Sequence, residues 1–149
     1  MKKLTPIVAL GAAALVVSGG ATGATHKQSA TKMTFTAVLN AGQERPAPKG
    51  TKAGAAGKFT ATVTGTKVTW KLTFSHLTGP ATAAHIHAGK KGVPGAVIVP
   101  LCGPCSSPAS GTGTLTTAQL NQMKNGGTYV NVHTAKYPNG EIRGQLAVH

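Results

Sequence analysis

The fold class is decided by residues 58–74, which read KFTATVTGTKVTWKLTF. Apolar and polar residues alternate along this segment with a period of two, as they do in a strand that buries one of its faces. The alternation is interrupted once, at Gly65-Thr66, and glycine at the first position of a two-residue link suits a tight hairpin turn. Most of the polar positions hold threonine, a residue that favours extended backbone. The segment therefore predicts two antiparallel strands of a half-buried sheet.

The same alternation recurs outside this hairpin. It indicates further strands at 34–39, 81–88, 96–101, 111–115, 129–134 and 141–148, with glycine and proline between most of them. Residues 116–125 differ, because Thr116 or Thr117 can cap a helix there and Gly126-Gly127 can end it. We therefore predict an all-β fold with one short helix, built as an antiparallel β-sandwich or a Greek-key barrel.

The N-terminal residues have the pattern of a secretory signal peptide. Lys2 and Lys3 precede an apolar run at 7–17, and small residues follow it up to Ala24. The run is shorter than the about 20 apolar residues that a membrane-spanning helix needs. We predict a signal peptide at 1–24, a flexible polar arm at 25–32 and one folded domain at 33–149. The mature protein is expected to be secreted, periplasmic or extracellular, and not to span a membrane.

The chain is strongly basic, with a formal net charge of +13 and only two acidic residues, Glu44 and Glu141. Such a surface favours contact with polyanions, among them anionic polymers of a cell envelope. The lysines are scattered through the strands and the chain holds few aromatic residues, so nucleic-acid binding is disfavoured. A solvated basic surface without a partner is the simpler alternative.

Three histidines are the candidate metal ligands. Residues two apart in a strand share a face, which places His85 and His87 side by side at about 6.5–7 Å between their Cα atoms. In the strand at 129–134, the alternation places His133 on the polar face as well. Imidazole suits copper and zinc, and three ligands would leave a coordination position open. The alternative is that these histidines only form hydrogen bonds with neighbouring strands and loops.

The same alternation predicts which polar residues surround the three histidines. With Val130, Val132, Ile142 and Gly144 facing inward, the polar face is expected to hold Tyr129, Asn131, Glu141 and Arg143. Such a face would bring the histidines close to one of the chain's rare acidic residues. If no metal binds, Glu141 or Glu44 is expected to neutralise Arg143 or Arg45.

Cys102-Gly-Pro-Cys105 matches the active-site tetrapeptide of thioredoxins. That redox chemistry needs the first cysteine at the N-terminus of a helix, which lowers the pKa of its thiol. The residues that follow are rich in serine and proline and do not predict a helix. We therefore expect Cys102 and Cys105 to form a structural disulfide in an oxidising compartment. No Gly-x-Ser-x-Gly motif or paired carboxylates complete a catalytic site.

Four motifs in one order resemble the CHRD domain family, a module named for its occurrence in chordin and also found alone in exported bacterial proteins. They are FTAVLNAGQERP at 35–46, AAHIHAG at 83–89, YVNVHT at 129–134 and YPNGEIRGQ at 137–145. The chain departs from the family pattern at Arg45, where a hydrophobic residue is usual, and in its Cys-Gly-Pro-Cys insertion. The resemblance extends over about residues 33–148.

The resemblance implies an extracellular, immunoglobulin-like β-sandwich. The His-x-His strand is also similar to one in copper-zinc superoxide dismutases, which are Greek-key barrels, although this chain lacks their bridging His–Asp zinc subsite. No activity is established for the bacterial family members. The function expected from the resemblance is a non-catalytic, exported binding or envelope-associated module, whose partner is an unknown protein or an anionic envelope polymer. The alternative is a copper- or zinc-binding protein.

Overall fold

The computed structural model describes residues 30–149, so the predicted signal peptide and most of the predicted arm lie outside the described residues. Within this range the chain forms nine strands, one α-helix and a 3₁₀ turn at Ala41–Gln43. The strands are β1 Lys32–Asn40, β2 Ala56–Thr64, β3 Lys67–Ser75, β4 Ala81–Ala88, β5 Val97–Cys102, β6 Ala109–Thr114, β7 Thr128–Thr134, β8 Ile142–Gln145 and β9 Ala147–Val148. The helix is α1 Thr117–Lys124.

All strand pairs are antiparallel, and the sheet has the order β5-β4-β7-β8-β1-β2-β3-β6, with β9 paired to β1. The sheet is nearly closed into a barrel, which confirms the predicted all-β class. β5 and β6 are consecutive in the chain but lie at the two ends of this strand order. The connection between them contacts two other strands. Cys105 forms an isolated β-bridge with Ala81 of β4, and the backbone N–H of Phe74 in β3 donates to Ser107 Oγ at 2.9 Å.

The hairpin predicted at 58–74 is present. β2 and β3 pair along their whole length, and the last pair, Thr64 with Lys67, leaves Gly65-Thr66 as the turn. Gly65 has a φ of 63°, a conformation that glycine adopts without the penalty of a Cβ atom. The inward residues of this hairpin join those of the other strands in one core that includes Phe35, Leu39, Phe59, Val63, Trp70, Leu72, Ile86, Val130, Val132 and Ile142.

The helix α1 also lies within its predicted range. Thr116 accepts a hydrogen bond from the backbone N–H of Gln119 at 3.2 Å, and the Gln119 side chain accepts one from the backbone N–H of Thr116 at 2.7 Å. This reciprocal capping box satisfies two backbone donors at the helix start. Met123 anchors the helix in the core, where it is fully buried.

Several strand boundaries differ from the sequence-based expectations by one or two residues, and two further differences concern the ends of the domain. The predicted strand at 141–148 is split into β8 and β9 at Leu146, whose backbone N–H donates to Thr128 O of β7 at 3.0 Å. Leu146 itself is almost fully buried and belongs to the core. At the other end, Lys32, the last residue of the predicted arm, is the first residue of β1.

Candidate metal centre

His85, His87 and His133 lie on two paired strands. β4 pairs with β7 in a register that places Ala83 opposite His133, His85 opposite Asn131 and His87 opposite Tyr129. The alternate residues of these strands, such as Ile86 and Val130, are buried in the core. The three histidines therefore share the other side of the sheet, as residues on one face of paired strands do.

The three imidazoles converge. The Nδ1 atom of His85 lies 3.0 Å from Nε2 of His133, and the ring centroids of His85 and His87 are 5.6 Å apart. Each ring offers one nitrogen as a ligand atom, and these three nitrogens all lie within 4.8 Å of one another. His87 and His133 are each only 8% exposed, whereas His85 is partly exposed. The group is thus held by the sheet and reached by solvent from one side.

Two backbone carbonyls fix the tautomers of the two buried rings. His87 Nδ1 lies 2.8 Å from Gly95 O, and His133 Nδ1 lies 2.9 Å from Pro138 O. A carbonyl oxygen only accepts, so each Nδ1 carries the proton and donates it. Each Nε2 then keeps a lone pair, and His87 Nε2 is buried without a hydrogen-bond partner. Metal-binding histidines are usually oriented in this way, by a backbone or carboxylate acceptor on the other nitrogen.

His85 completes the group by donating. Because Nε2 of His133 carries no proton, the 3.0 Å contact is formed by the Nδ1–H of His85 pointing at it. A metal ion bound between the rings would require this proton to move to Nε2 of His85. The partial exposure of His85 allows that exchange through solvent.

The surroundings of His85 and His133 favour their neutral form. Burial lowers the pKa of His133 below its ordinary value of 6.5, and the hydrogen bond to Pro138 opposes this shift only in part. Burial, with a smaller contribution from the neighbouring His87, also lowers the pKa of His85. Neutral imidazole is the form that binds metal ions, so His85 and His133 are in their ligating form at neutral pH.

A stack of three planar groups holds His87 in place. Its ring stacks on Tyr129 with centroids 4.9 Å apart and an interplanar angle of 11°. The Cζ atom of Arg143 lies 3.3 Å from the centroid of the Tyr129 ring, on which a guanidinium stacks favourably. The Tyr129 hydroxyl also accepts from the backbone N–H of Gly95 at 3.2 Å. Tyr129 therefore positions His87 and also Gly95, whose carbonyl orients the His87 ring.

The loop that supplies Gly95 is fixed by its own contacts. Nη2 of Arg143 donates to Lys90 O at 3.0 Å and to Val93 O at 2.9 Å. At Gly95 itself a Cβ atom would overlap the backbone oxygen of Ala88, so only glycine fits this close approach. The orientation of His87 thus depends on backbone groups that the pattern of polar and apolar residues could not reveal.

The chain matches the sequence model of one known protein family. The sequence model of the CHRD domain matches residues 35–146, most of the chain. This chain belongs to the CHRD domain family. The matched range contains the three histidines, the strands β2 to β8 and most of β1, and it confirms the resemblance seen in the motifs. No curated protein and no solved structure gives a significant match.

The CHRD domain brings three of the four predicted polar-face residues together. Tyr129 and Asn131 lie opposite His87 and His85, and Arg143 lies opposite Asn131 in β8. Glu141 is not part of this group. Its Oε1 accepts from the N–H and hydroxyl of Thr78, both at 2.7 Å, and its Oε2 accepts from the Thr134 hydroxyl at 2.8 Å.

Glu44 is the acidic residue that lies closest to the polar face of the CHRD domain, and the polar-face prediction did not include it. Glu44 is 4% exposed, and its carboxyl group lies beside Asn131 and Arg143. Burial raises the pKa of Glu44 to about 7, although the charge of Arg143 and the hydrogen bond from Asn131 oppose the shift. The signal in the sequence was its rarity, since only Glu44 and Glu141 carry an acidic side chain.

Cys102 and Cys105 of the CHRD domain form a disulfide. Residues 106–108 after it form no helix, and the chain enters β6 at Ala109. The pair therefore lacks the helix N-terminus that activates the thioredoxin motif, and it closes a short loop at the end of β5. Across residues 30–149 we find no helix whose length and apolar character would let it cross a membrane.

Proposed function

We propose that this CHRD domain is an exported protein that binds one transition-metal ion, copper or zinc, through His85, His87 and His133. It acts as a binding module rather than as an enzyme. The observation that carries the proposal is the state of His87, whose Nδ1 donates to Gly95 O while its buried Nε2 has no partner. A buried polar atom without a partner is costly, and a metal ion at Nε2 would remove that cost.

The spacing of the nitrogens supports a tetrahedral site. Zinc holds imidazole nitrogens at about 2.0–2.1 Å, which places two such nitrogens about 3.3 Å apart. The candidate ligand atoms already lie within 4.8 Å of one another, and two of them are 3.0 Å apart. Small rotations of the rings would close the site. The fourth position would face the solvent beside His85.

The choice of metal follows from the donor set. Imidazole nitrogen favours copper and zinc, whereas magnesium and calcium favour oxygen ligands. Among residues 30–149, no carboxylate joins the three histidines in the group that could hold an ion. The site would therefore select borderline transition metals.

A binding role is supported by the positions of the two glutamates. Hydrolytic chemistry at a metal-bound water commonly uses a nearby carboxylate as general base. Glu141 is occupied by Thr78 and Thr134, and Glu44 lies beside Asn131 and Arg143. Export is supported by the signal-peptide pattern at 1–24 and by the disulfide, which is typical of oxidising compartments.

Calorimetry on the tag-free protein tests the metal site. Copper and zinc are titrated separately into the wild type, the His87→Ala variant and a His149→Ala control, in which the histidine removed lies outside the cluster. We expect one ion per chain with micromolar or tighter affinity, weakened at least about a hundredfold by His87→Ala and unchanged in the control.

A second variant, His85→Ala, removes the partly exposed ligand and leaves both buried rings in place. It should lose affinity while its circular dichroism matches that of the wild type. No heat above background with either metal, or equal affinity in the wild type and His87→Ala, would show that the three histidines form only a hydrogen-bonded cluster.

A further inference from the structure

The outer face of β1, β2, β3 and β6 forms a regular polar surface, which we call the threonine–lysine face. It consists of the outward positions of 32–38, 58–64, 67–73 and 110–114. The strands are in register here, so that Thr34, Thr62, Thr69 and Thr112 form one row across the sheet. The next row holds Thr36, Thr60, Lys71 and Ser110. In β1, β2 and β3 the alternate residues other than Met33 are buried, which turns this set toward solvent.

All charged side chains on this face are positive. Lys32, Lys58, Lys67 and Lys71 are exposed on it, and every other position except Val38 carries a threonine or serine. The chain's only two acidic side chains, Glu44 and Glu141, are both buried and lie on other elements. No carboxylate side chain of the protein therefore competes for these lysines. A polyanion would meet an uncompensated positive surface.

The side chains on this face indicate which class of polyanion it can bind. Single-stranded nucleic acid needs aromatic side chains for base stacking, but Trp70 of β3 faces the core. Protein partners concentrate binding energy in exposed tryptophan, tyrosine and arginine, and insertion into a membrane surface needs apolar side chains. On this face the one apolar side chain is Val38. Hydroxyl groups that both donate and accept match the hydroxyls of sugars instead.

We propose that the threonine–lysine face binds a linear acidic polysaccharide that carries carboxylates. The lysines would pair with the carboxylates, and the threonine hydroxyls would exchange hydrogen bonds with the sugar rings. The strands are spaced about 4.8 Å apart and equivalent residues along a strand about 6.5–7 Å apart, so a repeating polymer meets repeated contacts. The face shares no residue with the histidine cluster, and the proposal does not depend on metal binding.

The test uses the full chain and polygalacturonate, a linear polymer with one carboxylate per sugar. Two variants with the same net charge are compared. One carries Gln in place of the lysines of the face, Lys32, Lys58, Lys67 and Lys71. The control carries Gln in place of four exposed lysines elsewhere, Lys49, Lys52, Lys91 and Lys124.

We expect the face variant to bind about tenfold or more weakly than the wild type, and the control to lose less than about threefold. Wild-type binding should weaken as salt is raised and should not change when a chelator is added. Equal losses in the two variants would overturn the proposal, because net charge alone would then account for binding.

A third variant separates hydroxyl recognition from charge. Thr60, Thr62 and Thr69 are replaced by valine, which keeps the branched shape that favours strands and leaves the charge unchanged. We expect this variant to lose several-fold in affinity with an unchanged salt dependence. Tighter binding of the wild type to duplex DNA than to polygalacturonate would overturn the assignment to a polysaccharide.

Discussion

The position of the single N–H proton on each of the three imidazole rings determines which nitrogens of the histidine cluster are free to bind a metal ion. A neutral ring has one N–H and one lone pair, and a backbone carbonyl can accept only the N–H. Gly95 O and Pro138 O therefore fix the tautomers of His87 and His133, and both rings turn Nε2 toward the cluster. His85 has the remaining freedom, since its Nδ1–H is donated to another ring rather than to a fixed carbonyl. His85, whose proton would have to move when a metal binds, is also the most exposed of the three histidines.

The carboxyl group of Glu44 gives a prediction at the same scale. Burial raises its pKa in the folded protein from the usual 4.5 to about 7. The folded state therefore holds this proton more tightly than the unfolded state. The resulting stabilisation is fully present below pH 4.5 and is lost as the pH rises through 7. The charge of Arg143 limits the loss without removing it.

A Glu44→Gln variant cannot ionise, so it should escape this loss. We expect its free energy of unfolding at pH 8 to exceed that of the wild type by about 3 kcal/mol, relative to the difference between the two proteins at pH 4.5. Urea unfolding at both pH values measures this change. An equal difference at pH 4.5 and pH 8 would mean that Glu44 ionises normally in the folded state.

The capping box of α1 makes a prediction at the scale of one element. Thr116→Ala removes the hydroxyl that accepts from the Gln119 N–H. We expect a loss of about 1 kcal/mol in the free energy of unfolding, as is typical for an N-cap side chain. Thr117→Ala is the control, because Thr117 is exposed and lies inside the helix. A loss of similar size in the control would assign the effect to helix propensity and not to the cap.

The elements show how much of the fold the sequence could predict. Each strand buries one face, so its period-two pattern is local and can be read from the residues alone. The shared face of His85 and His87 follows from that period. Their approach to His133 does not, because it requires β4 to pair with β7, and β5, β6 and α1 lie between them in the chain. Strand pairing over such a separation is set by the packing of the whole sheet.

Glu141 illustrates the limit of the local pattern. Extending the alternation of β8 backward by one residue placed its side chain on the polar face with the histidines. The residue lies before β8, however, and directly follows Gly140, whose φ is 125°. The carboxylate there bonds to Thr78 and Thr134 instead. Periodicity holds within a strand and fails at its ends, where turns redirect the chain.

The whole molecule has two candidate surfaces on different parts of one sheet. The histidine cluster lies on β4 and β7, and the threonine–lysine face lies on β1, β2, β3 and β6. Burial of both glutamates leaves the chain without exposed acidic side chains, which gives the second surface its uniform charge. The two proposals can therefore fail independently.

Linkage between metal binding and folding supplies the prediction for the whole molecule. An ion that binds only the folded state stabilises it by about 2.7 kcal/mol when its free concentration is a hundred times Kd. We therefore expect zinc to raise the Tm of the wild type at pH 7.5, where His85 and His133 are neutral. The metal-free protein should lose stability as the pH falls below 6.5, because the lowered pKa values of His85 and His133 let the unfolded state take up protons first.

Protons and zinc compete for the same nitrogens, so the increase in Tm on adding zinc should disappear near pH 5. Thermal unfolding with and without zinc at both pH values checks this, and His87→Ala should show no increase at either. If the increase is as large at pH 5 as at pH 7.5, the ion is bound by groups other than imidazoles. If it persists in His87→Ala, zinc stabilises the fold from another site, since the loss of a buried ligand would otherwise remove most of the binding free energy.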